Sequence, residues 1–287
     1  MENKVNTSSA TTIYLCGADN ILDQHKQLIS ELKQHFEVKN LDEHTEDGSP
    51  VMLFGGDGSL NYFVNLTYVK DKYFKVLYLP CGTANDFAKS LKIEPQVLSA
   101  LAIKSVLLQG ITLDIPTLKC NEQYFINVAT AGSPANVTDT DKTLFKKVIG
   151  KFDYYLNAAG ELFSAKPMSF TVTTDEQTHE CNGYGFFVGQ GLFAGGRMRV
   201  INSFVPCFND KFCFLTVNSE VLVESMECMS TLQSQSVIDD NRALDLMATQ
   251  FTVSSSEPIK VRLDGEEYES KKLAFKRGSQ KHQFYLY

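Results

Sequence analysis

The sequence lacks the features that would place a chain inside a membrane or mark it for export. No segment approaches the run of about 18 apolar residues that a membrane-spanning helix requires. The N-terminal segment MENKVNTSSATT is polar and has no apolar core of signal-peptide length. These absences predict a cytoplasmic protein that meets a membrane only at its surface.

The sequence also lacks a cysteine framework and an excess of positive charge. Its seven cysteines are odd in number and form no CxxC pair, so neither a disulfide scaffold nor a zinc site is indicated. The formal net charge of -7 argues against bulk nucleic-acid binding, which needs a cationic surface. With 287 residues, of which 43% are hydrophobic, the chain is long enough for two globular domains.

Strand and helix patterns alternate through the first part of the chain. The apolar runs VMLF (51–54) and KVLYLP (75–80) each lead into a glycine-containing turn, and a helical pattern over 23–36 begins at the capping candidate Asp23. Strands that alternate with helices favour a parallel, doubly wound sheet. We therefore predict an α/β domain over residues 1–115.

The rest of the chain has a different pattern. Runs such as YGFFVGQG and KFCFLTV are rich in phenylalanine, valine and threonine, and turn residues separate most of them. This pattern is typical of an antiparallel β-sandwich. We predict such a domain over residues 116–287, with helical stretches near 142–164 and 221–233 and with its last strand free to return to the first domain.

The stretch FGGDGSLNYF follows the first of the two buried strands and precedes a helix. Strand, glycines and helix in this order place backbone N–H groups where they can bind an anion. Gly55, Gly56 and Gly58 would let a polyphosphate approach the main chain closely. Asp57 fits beside phosphate if a cation or water lies between them, and Ser59 can cap the helix or bond a phosphate oxygen. A glycine-rich surface turn is the alternative interpretation.

A second loop of this kind follows the next strand, in LPCGTANDFAKSL. Gly82 and Thr83 stand at the carboxyl end of that strand, where open α/β sheets bind ligands. Asn85 and Asp86 open the next helix and would be ordinary capping residues on their own. Two such loops on successive strands favour a phosphate site. The chain has neither the GxxxxGK[ST] of P-loop enzymes nor the GxGxxG dinucleotide motif.

Together, GGDGSLN and LPCGTANDFAKSL resemble the diacylglycerol-kinase-like superfamily, and most of all its soluble bacterial lipid kinases of the YegS type. The likeness continues through LDIPTLKCNEQYFINVATAG, VGQGLFAGGRMRV, FNDKF and VRLDGEEYE, and it covers residues 12–287. It implies an α/β nucleotide domain and a β-sandwich lipid domain with the active site between them. It also implies ATP and Mg²⁺ as cofactors and transfer of the γ-phosphate to a lipid hydroxyl.

The resemblance assigns roles to individual residues. Nucleotide binding falls to Gly55, Gly56, Asp57, Gly58, Ser59, Leu60, Asn61, Gly82, Thr83, Asn85 and Thr45. Catalysis falls to Glu266 as proton acceptor, to its neighbour Asp264 and to Asp57. The metal-linked network falls to Asp57, Asp86 and Asp114, and a second, more structural metal site to Asp210 with the backbone carbonyls of Cys207 and Phe212. From its residues alone, RLDGEEYE predicts a hairpin turn with solvated glutamates.

The sequence departs from the family pattern in several places. Ser59 replaces the usual threonine, Gln190 stands in a motif that usually reads GNG, and Lys211 replaces a glycine beside Asp210. About nine residues separate FEVKNL from VMLF, fewer than the dozen or more of a parallel crossover. FEVKNL would be the second strand of the sheet. Either this strand is misplaced or antiparallel, or this flank of the nucleotide site is reduced.

Two groups of basic residues are candidates for contact with a membrane surface that presents the lipid substrate. They are Lys142, Lys146, Lys147 and Lys151 in the first helical stretch, and Lys271, Lys272, Lys276, Arg277 and Lys281 near the C-terminus. A solvated helix exterior is the alternative for the first group. Nucleic acid is not an expected partner, and formation of a homodimer is left open.

Two competing functions stay open beside the lipid kinase. One is a soluble small-molecule kinase, because sugar-phosphate and NAD kinases also carry GGDG[ST] loops. The other is a weak or inactive family member that binds lipid or nucleotide without transferring phosphate. The short N-terminal connection favours keeping this second alternative.

Overall fold

The computed structural model describes most of the chain. The described residues are 11–44, 48–66, 72–94, 98–132, 166–194, 198–199, 210–221, 224–225, 228 and 242–287. Thr45, Cys207, the stretch 142–164 with its four lysines, and most of 221–233 lie outside these residues, so the roles assigned to them stay predictions. No helix in the described part of the chain is long and apolar enough to cross a membrane.

Parallel strands form the N-terminal half of the sheet. Their bounds are Thr12–Cys16 for β1, Glu37–Asn40 for β2, Val51–Gly55 for β3 and Lys75–Pro80 for β4. They lie side by side in the order β2-β1-β3-β4 and every pairing among them is parallel. All of β3 is buried, as is typical of a central parallel strand. The predicted parallel α/β half, with strands at 51–54 and 75–80, is confirmed.

The helices of this half are short. Their bounds are Asp19–Gln24 for α1, Lys26–Leu32 for α2, Asp57–Asn65 for α3, Asp86–Ser90 for α4 and Ala100–Gln109 for α5. The single helix predicted over 23–36 is wrong, because α1 and α2 meet at His25 and Asp23 lies inside α1. The Nδ1 atom of His25 contacts the carbonyl oxygen of Ile21 at 2.9 Å, where the helix is interrupted.

The second strand is parallel despite its short connection. Thr12 lies opposite Glu37 and Leu15 opposite Asn40, so β2 is neither misplaced nor antiparallel. The described part of the connection from β2 to β3 holds a 3₁₀ turn at Leu41–Glu43, closed by the Asn40 N–H donating to the Glu43 carboxylate at 3.0 Å. Of the explanations drawn from the sequence, a reduced flank is the one that the structure agrees with.

Antiparallel strands form the C-terminal half. Their bounds are Thr112–Cys120 for β5, Gln123–Phe125 for β6, Val128–Gly132 for β7, Met168–Thr173 for β8, Thr178–Gly183 for β9, Gly185–Gly189 for β10, Phe193–Ala194 for β11, Met198–Arg199 for β12, Phe212–Val217 for β13, Ala243–Ala248 for β14, Gln250–Leu263 for β15 and Glu266–Tyr285 for β16. Phenylalanines fill much of the core between them, with Phe186 stacked on Phe214 at a ring distance of 5.4 Å. The predicted β-rich second half is confirmed.

The long strand β16 joins the two halves into one continuous sheet. At its start Glu266 pairs with Leu263 of β15, and near its end Gln283 pairs in parallel with Lys75 of β4. Over its C-terminal half it pairs antiparallel with β5. The domain boundary predicted at residue 115 falls inside β5 and stays a prediction. For the site, the important feature is that β16 starts at a hairpin of the C-terminal half and ends beside β4 in the N-terminal half of the sheet.

Candidate active site

The two glycine loops touch at the carboxyl edge of the parallel strands. Gly55 is in register with Pro80, and the Cys81 N–H donates to the Gly55 carbonyl oxygen at 2.9 Å. A β-carbon built on Gly82 would lie 2.5 Å from the α-carbon of Gly56. Because real β-carbons do not come that close to backbone, only glycine fits at this contact.

The first loop leaves the start of α3 open to a ligand. The helix begins after Gly56, which as its N-cap offers no side-chain acceptor to the first-turn N–H groups. Gly55 has φ 153°, and a β-carbon there would lie 2.1 Å from Ser59 Oγ. The serine side chain therefore packs onto the bare main chain of the loop. A helix N-terminus without a side-chain cap is a suitable site for an anion such as phosphate.

The carboxylate of Asp57 links the two loops. Its Oδ2 accepts from the Asp86 N–H and its Oδ1 from the Phe87 N–H, each at 3.0 Å. These are the first N–H groups of α4, so Asp57 from one loop caps the helix that follows the other. This contact gives a physical reason for an acidic residue beside a phosphate site, because the charge is shared with a helix N-terminus.

The second loop is closed by Asn85. This residue has the left-handed conformation, with φ 52°. Its Oδ1 accepts from the Gly82 N–H at 3.0 Å and its Nδ2 donates to the Gly82 carbonyl at 2.7 Å. The amide thus shapes the loop, while the neighbouring Thr83 is exposed.

Asn61 and Leu60 face the protein interior. Leu60 is fully buried in the core. The Asn61 amide donates to the carbonyl oxygens of Tyr124 at 3.3 Å and Leu263 at 3.1 Å. The structure therefore corrects their assignment to phosphate, because these side chains anchor α3 against the core and against the end of β15.

The Asp-Gly turn between β15 and β16 forms the predicted hairpin. Leu263 pairs with Glu266, and the two turn residues Asp264 and Gly265 have φ of 51° and 105°. Positive φ at both positions is the geometry of a two-residue primed turn, which matches the right-handed twist of the strands. The hairpin prediction is confirmed.

Asp264 fixes this hairpin to the C-terminal half. Its carboxylate accepts from three backbone N–H groups, those of Ile126 at 2.8 Å, Asn127 at 2.9 Å and Val128 at 3.0 Å. Burial raises the pKa of Asp264 to about 7, the three amide donors oppose the increase, and the charge of Asp57 adds to it.

Glu266 faces the glycine loop. Its Oε1 lies 3.7 Å from the point that a β-carbon on Gly58 would occupy, beside the first turn of α3. The Glu266 side chain is exposed, so it can be reached from solvent. A carboxylate from the C-terminal half therefore stands beside the first turn of α3, where the glycine loop could bind an anion.

The structure separates Asp114 from the other predicted metal ligands. Asp114 pairs with Gln283, which is opposite Lys75 at the amino end of β4, whereas Gly55 is opposite Pro80 at the carboxyl end. Five steps along β4 amount to roughly 16 Å. Asp114 therefore lies away from the loops that hold Asp57 and Asp86, and the metal role of these two aspartates stays a prediction.

The second predicted metal site, at Asp210 and the backbone carbonyl of Phe212, stays a prediction. Asp210 is exposed and Phe212 is fully buried at the start of β13. The backbone carbonyl of Lys211, between them, accepts from Arg277 Nη2 at 3.3 Å. Among the described residues no group of three His, Cys, Asp or Glu side chains could hold a metal ion.

Sequence reasoning missed one contact that holds α4 to the C-terminal half and two that lie within that half. The Ser90 hydroxyl of α4 accepts from the Leu192 N–H at 2.9 Å. Gln190 is fully buried, and its Nε2 donates at 2.7 Å to the carbonyls of both Pro116 and Ile126. The only signal in the sequence was the position of Gln190 between two glycines, which marks a close backbone approach without naming the partner.

A family model for the diacylglycerol kinase catalytic domain matches residues 17–120. A probable YegS-like lipid kinase from Shewanella frigidimarina is 31% identical over 239 residues, which cover 78% of this chain and 72% of the relative. A diacylglycerol kinase from Staphylococcus aureus is 26% identical over 221 residues, which cover 77% of this chain and 69% of that relative. The chain belongs to the diacylglycerol-kinase-like family of lipid kinases.

Solved structures share the fold. A candidate diacylglycerol kinase from Bacillus anthracis superposes with a TM-score of 0.69 at 20% identity, over 95% of this chain and 96% of its own. An NAD kinase from Archaeoglobus fulgidus in complex with ATP gives a TM-score of 0.52 at 11% identity, over 96% of this chain and 93% of its own. At these identities the likeness shows the fold alone.

Proposed function

We propose that this protein is an ATP- and Mg²⁺-dependent lipid kinase that transfers the γ-phosphate to the hydroxyl of a diacylglycerol-like lipid. The observation that carries the proposal is the position of the Glu266 carboxylate beside Gly58 in the first turn of α3. This position places a candidate proton acceptor next to a candidate phosphate site. Membership of a lipid kinase family supports the same reaction.

The residues present fit a polyphosphate. Gly56 and Gly82 bring two main chains together without side chains, and the start of α3 has no side-chain cap. Gly55, Gly58 and Ser59 complete this surface. Their N–H groups would bind and orient the phosphates, and the positive end of α3 would favour the negative charge.

The residues present also fit a magnesium ion held mainly by the nucleotide. Mg²⁺ commonly binds through one or two carboxylates plus substrate phosphates. Each Asp57 oxygen accepts one N–H and keeps a lone pair, and Asp86 adjoins it. When bound, the ion would neutralise charge on the phosphates during transfer. Within this reaction Glu266 would take the proton from the attacking lipid hydroxyl.

A membrane contact fits the exposed basic residues of β16. Lys271, Lys272, Lys276 and Lys281 are all exposed on this strand. Cations at a protein surface are attracted to anionic lipid within a short, salt-dependent range. We propose peripheral binding to the membrane that holds the substrate, from the cytoplasmic side, and a homodimer stays open.

The function is tested by supplying the purified protein with radiolabelled ATP, Mg²⁺ and acceptors. The panel contains diacylglycerol, phosphatidylglycerol, a sphingoid base and a polyprenol in mixed micelles, with soluble acceptors such as NAD alongside. The proposal expects label in a lipid product that disappears when EDTA removes Mg²⁺. The lipid that accepts label identifies the substrate class.

Two other outcomes would contradict the proposal. Label in soluble product alone would identify a small-molecule kinase. This alternative is included because the chain shares its fold with an NAD kinase. Thermal stabilisation by ATP without transfer to any acceptor would identify a binding protein, in line with the reduced flank between β2 and β3.

A further inference from the structure

His25 and Cys81 bring an imidazole and a thiol together beside the second glycine loop, which follows β4. The Nε2 atom of His25 lies 3.6 Å from the Cys81 sulfur, although the two residues are 56 positions apart in the chain. Cys81 directly precedes Gly82 and is exposed, whereas the other cysteines that the structure describes are buried. No ligand spacing in the sequence indicates this pair, because only the fold brings its two members together.

The hydrogen bonding of His25 leaves the lone pair of Nε2 facing the sulfur. The Nδ1 atom lies 2.9 Å from the carbonyl oxygen of Ile21. Because a carbonyl oxygen only accepts, Nδ1 carries the proton, and Nε2 of the neutral imidazole keeps its lone pair. Histidines that bind metal ions are generally held in this way, with the second ring nitrogen donating to a carboxylate, a backbone carbonyl or water.

The thiol proton of Cys81 has a closer acceptor than the imidazole. The sulfur lies 3.1 Å from the carbonyl oxygen of Leu79, and the single S–H of the thiol donates to it. The sulfur and the Nε2 atom of His25 therefore face each other with lone pairs and without a proton between them. Two electron-pair donors in this arrangement favour a cation that both can bind.

The separation of the two atoms matches that of two ligands on one zinc ion. Zinc binds thiolate at about 2.3 Å and imidazole at about 2.0–2.1 Å, so two such ligands in tetrahedral geometry lie roughly 3.6 Å apart. The Sγ atom of Cys81 and Nε2 of His25 are 3.6 Å apart. Thiolate and imidazole also select zinc over magnesium, because magnesium prefers oxygen ligands.

We propose that Cys81 and His25 bind a zinc ion at the edge of the second glycine loop. On binding, the thiol gives its proton to water, and the thiolate and Nε2 each donate an electron pair to the ion. The described residues contain no group of three His, Cys, Asp or Glu side chains that could hold a metal ion, so water completes the coordination. Two protein ligands predict a dissociation constant on the order of micromolar, weaker than that of a four-ligand structural site.

A zinc ion at this position lies against the loop that is assigned to ATP. The Cys81 N–H donates to the Gly55 carbonyl oxygen at 2.9 Å, and the next residue, Gly82, adjoins Gly56. A hydrated ion on the Cys81 sulfur therefore takes up space beside the bare main chain, and we expect it to hinder ATP binding. This effect rests on the proposed function, whereas the zinc site itself does not.

The test titrates zinc into the wild-type protein and three variants, with binding measured by calorimetry and by competition with a zinc-binding dye. Cys81→Ser and His25→Gln each remove one proposed ligand. His35→Gln is the matched control, because it removes another partly exposed histidine from the same part of the chain. In a parallel experiment cobalt(II) replaces zinc, since a bond between cobalt and thiolate gives a charge-transfer absorption band.

We expect wild type and His35→Gln to bind zinc with equal affinity, and Cys81→Ser and His25→Gln to bind it at least about 100-fold more weakly. The cobalt charge-transfer band should appear in the wild type and disappear in Cys81→Ser. Equal zinc affinity of wild type and Cys81→Ser would overturn the proposal, and so would a wild-type protein that binds no zinc. If the melting curve shows that His25→Gln does not fold, Cys81→Ser and the cobalt spectrum decide.

The effect on ATP is measured separately. Zinc should reduce the rise in melting temperature that ATP produces more strongly in the wild type than in Cys81→Ser, a comparison that corrects for chelation of zinc by ATP. Equal reductions in the two proteins would refute the effect of the ion on ATP. A wild-type protein that ATP does not stabilise even without zinc would contradict the proposed function, and the zinc titration and cobalt spectrum would still decide about Cys81 and His25.

Discussion

Gly56 and Gly82 approach so closely that neither position has room for a side chain. A β-carbon on Gly82 would lie 2.5 Å from the Gly56 α-carbon, and one on Gly56 would lie 2.9 Å from the Gly82 α-carbon. The obstacle in both directions is backbone, which cannot swing away as a flexible side chain can. The two glycines thus bring two loops from successive strands to a common surface.

The Gly82→Ala variant should therefore lose nucleotide binding. Because the loops must separate, we expect activity to fall about 100-fold, the loss that a displacement of about 1 Å can cause. The measurement is the shift in melting temperature that ATP produces, followed by the rate of transfer.

Gly110→Ala is the matched control. Gly110 has a positive φ of 65°, which Gly82 does not have, but a β-carbon on Gly110 would meet nothing within 4 Å. It should cost about 1 kcal/mol of stability and leave activity intact. Equal ATP shifts for Gly82→Ala and wild type would show that the loops do not form the nucleotide site.

The Asp57→Asn variant should weaken both the fold and the response to Mg²⁺. The amide nitrogen would have to face either the Asp86 or the Phe87 N–H, so α4 loses part of its cap at a cost of about 1 kcal/mol. The loss of charge should also raise the Mg²⁺ concentration needed for half-maximal transfer, measured by titration.

Ser99→Ala provides the control for the cap alone. Ser99 Oγ accepts from the Ala102 N–H at 3.2 Å at the start of α5, away from the glycine loops. Ser99→Ala should lower stability by about as much as the loss of the cap in Asp57→Asn, and it should leave the Mg²⁺ titration unchanged. If Asp57→Asn titrates like the wild type, Asp57 has no part in metal binding.

His282 should make the fold sensitive to acid. It is 1% exposed between Phe63 and Phe74, and burial lowers its pKa from 6.5 to about 4. Its contribution to stability is present above pH 6.5 and is lost as the pH falls toward 4, because only the unfolded chain accepts the proton. The free energy of unfolding of His282→Leu, from urea titrations, should fall less over this range. A decline as steep as that of the wild type would contradict this account.

Asp264 should act with the opposite sign. Its pKa is raised from 3.8 to about 7, so its contribution is fully present below pH 3.8 and is lost as the pH rises through 7. Asp264→Asn should therefore make the free energy of unfolding depend less on pH. It should also lower the free energy of unfolding by about 2 kcal/mol, because the new amide nitrogen would meet the Ile126 N–H. The free energy of unfolding at pH 5 and pH 8, measured in the His282→Leu background, isolates the contribution of Asp264. An unchanged slope would refute it.

The sequence predicted local elements well where one signal dominated. The strands at 51–54 and 75–80 are apolar runs that lead into glycine loops, and the Asp264-Gly265 turn has a conformation that favours this residue pair. The break at His25 was not predictable from the sequence, because the apolar period continues across it.

Long-range placement was less predictable. The sequence around Asp114 fits a family motif, but the register of β5 against β16 sets its position, and no local pattern encodes that register. Asn61 adjoins the glycine loop in sequence, yet it turns inward to carbonyls that lie 63 and 202 residues away. Adjacency along the chain therefore did not distinguish a ligand contact from a structural one.

The most direct test of the proposed reaction compares kcat for Glu266→Gln and Glu267→Gln. Both remove one exposed carboxylate from the same hairpin, but Glu266 faces Gly58 while Glu267 pairs with Arg262 at 3.0 Å. We predict that Glu266→Gln lowers kcat at least about 100-fold with unchanged affinity for ATP, and that Glu267→Gln retains wild-type turnover. Full turnover by Glu266→Gln, or equal losses in the two variants, would contradict the assignment of Glu266 as proton acceptor.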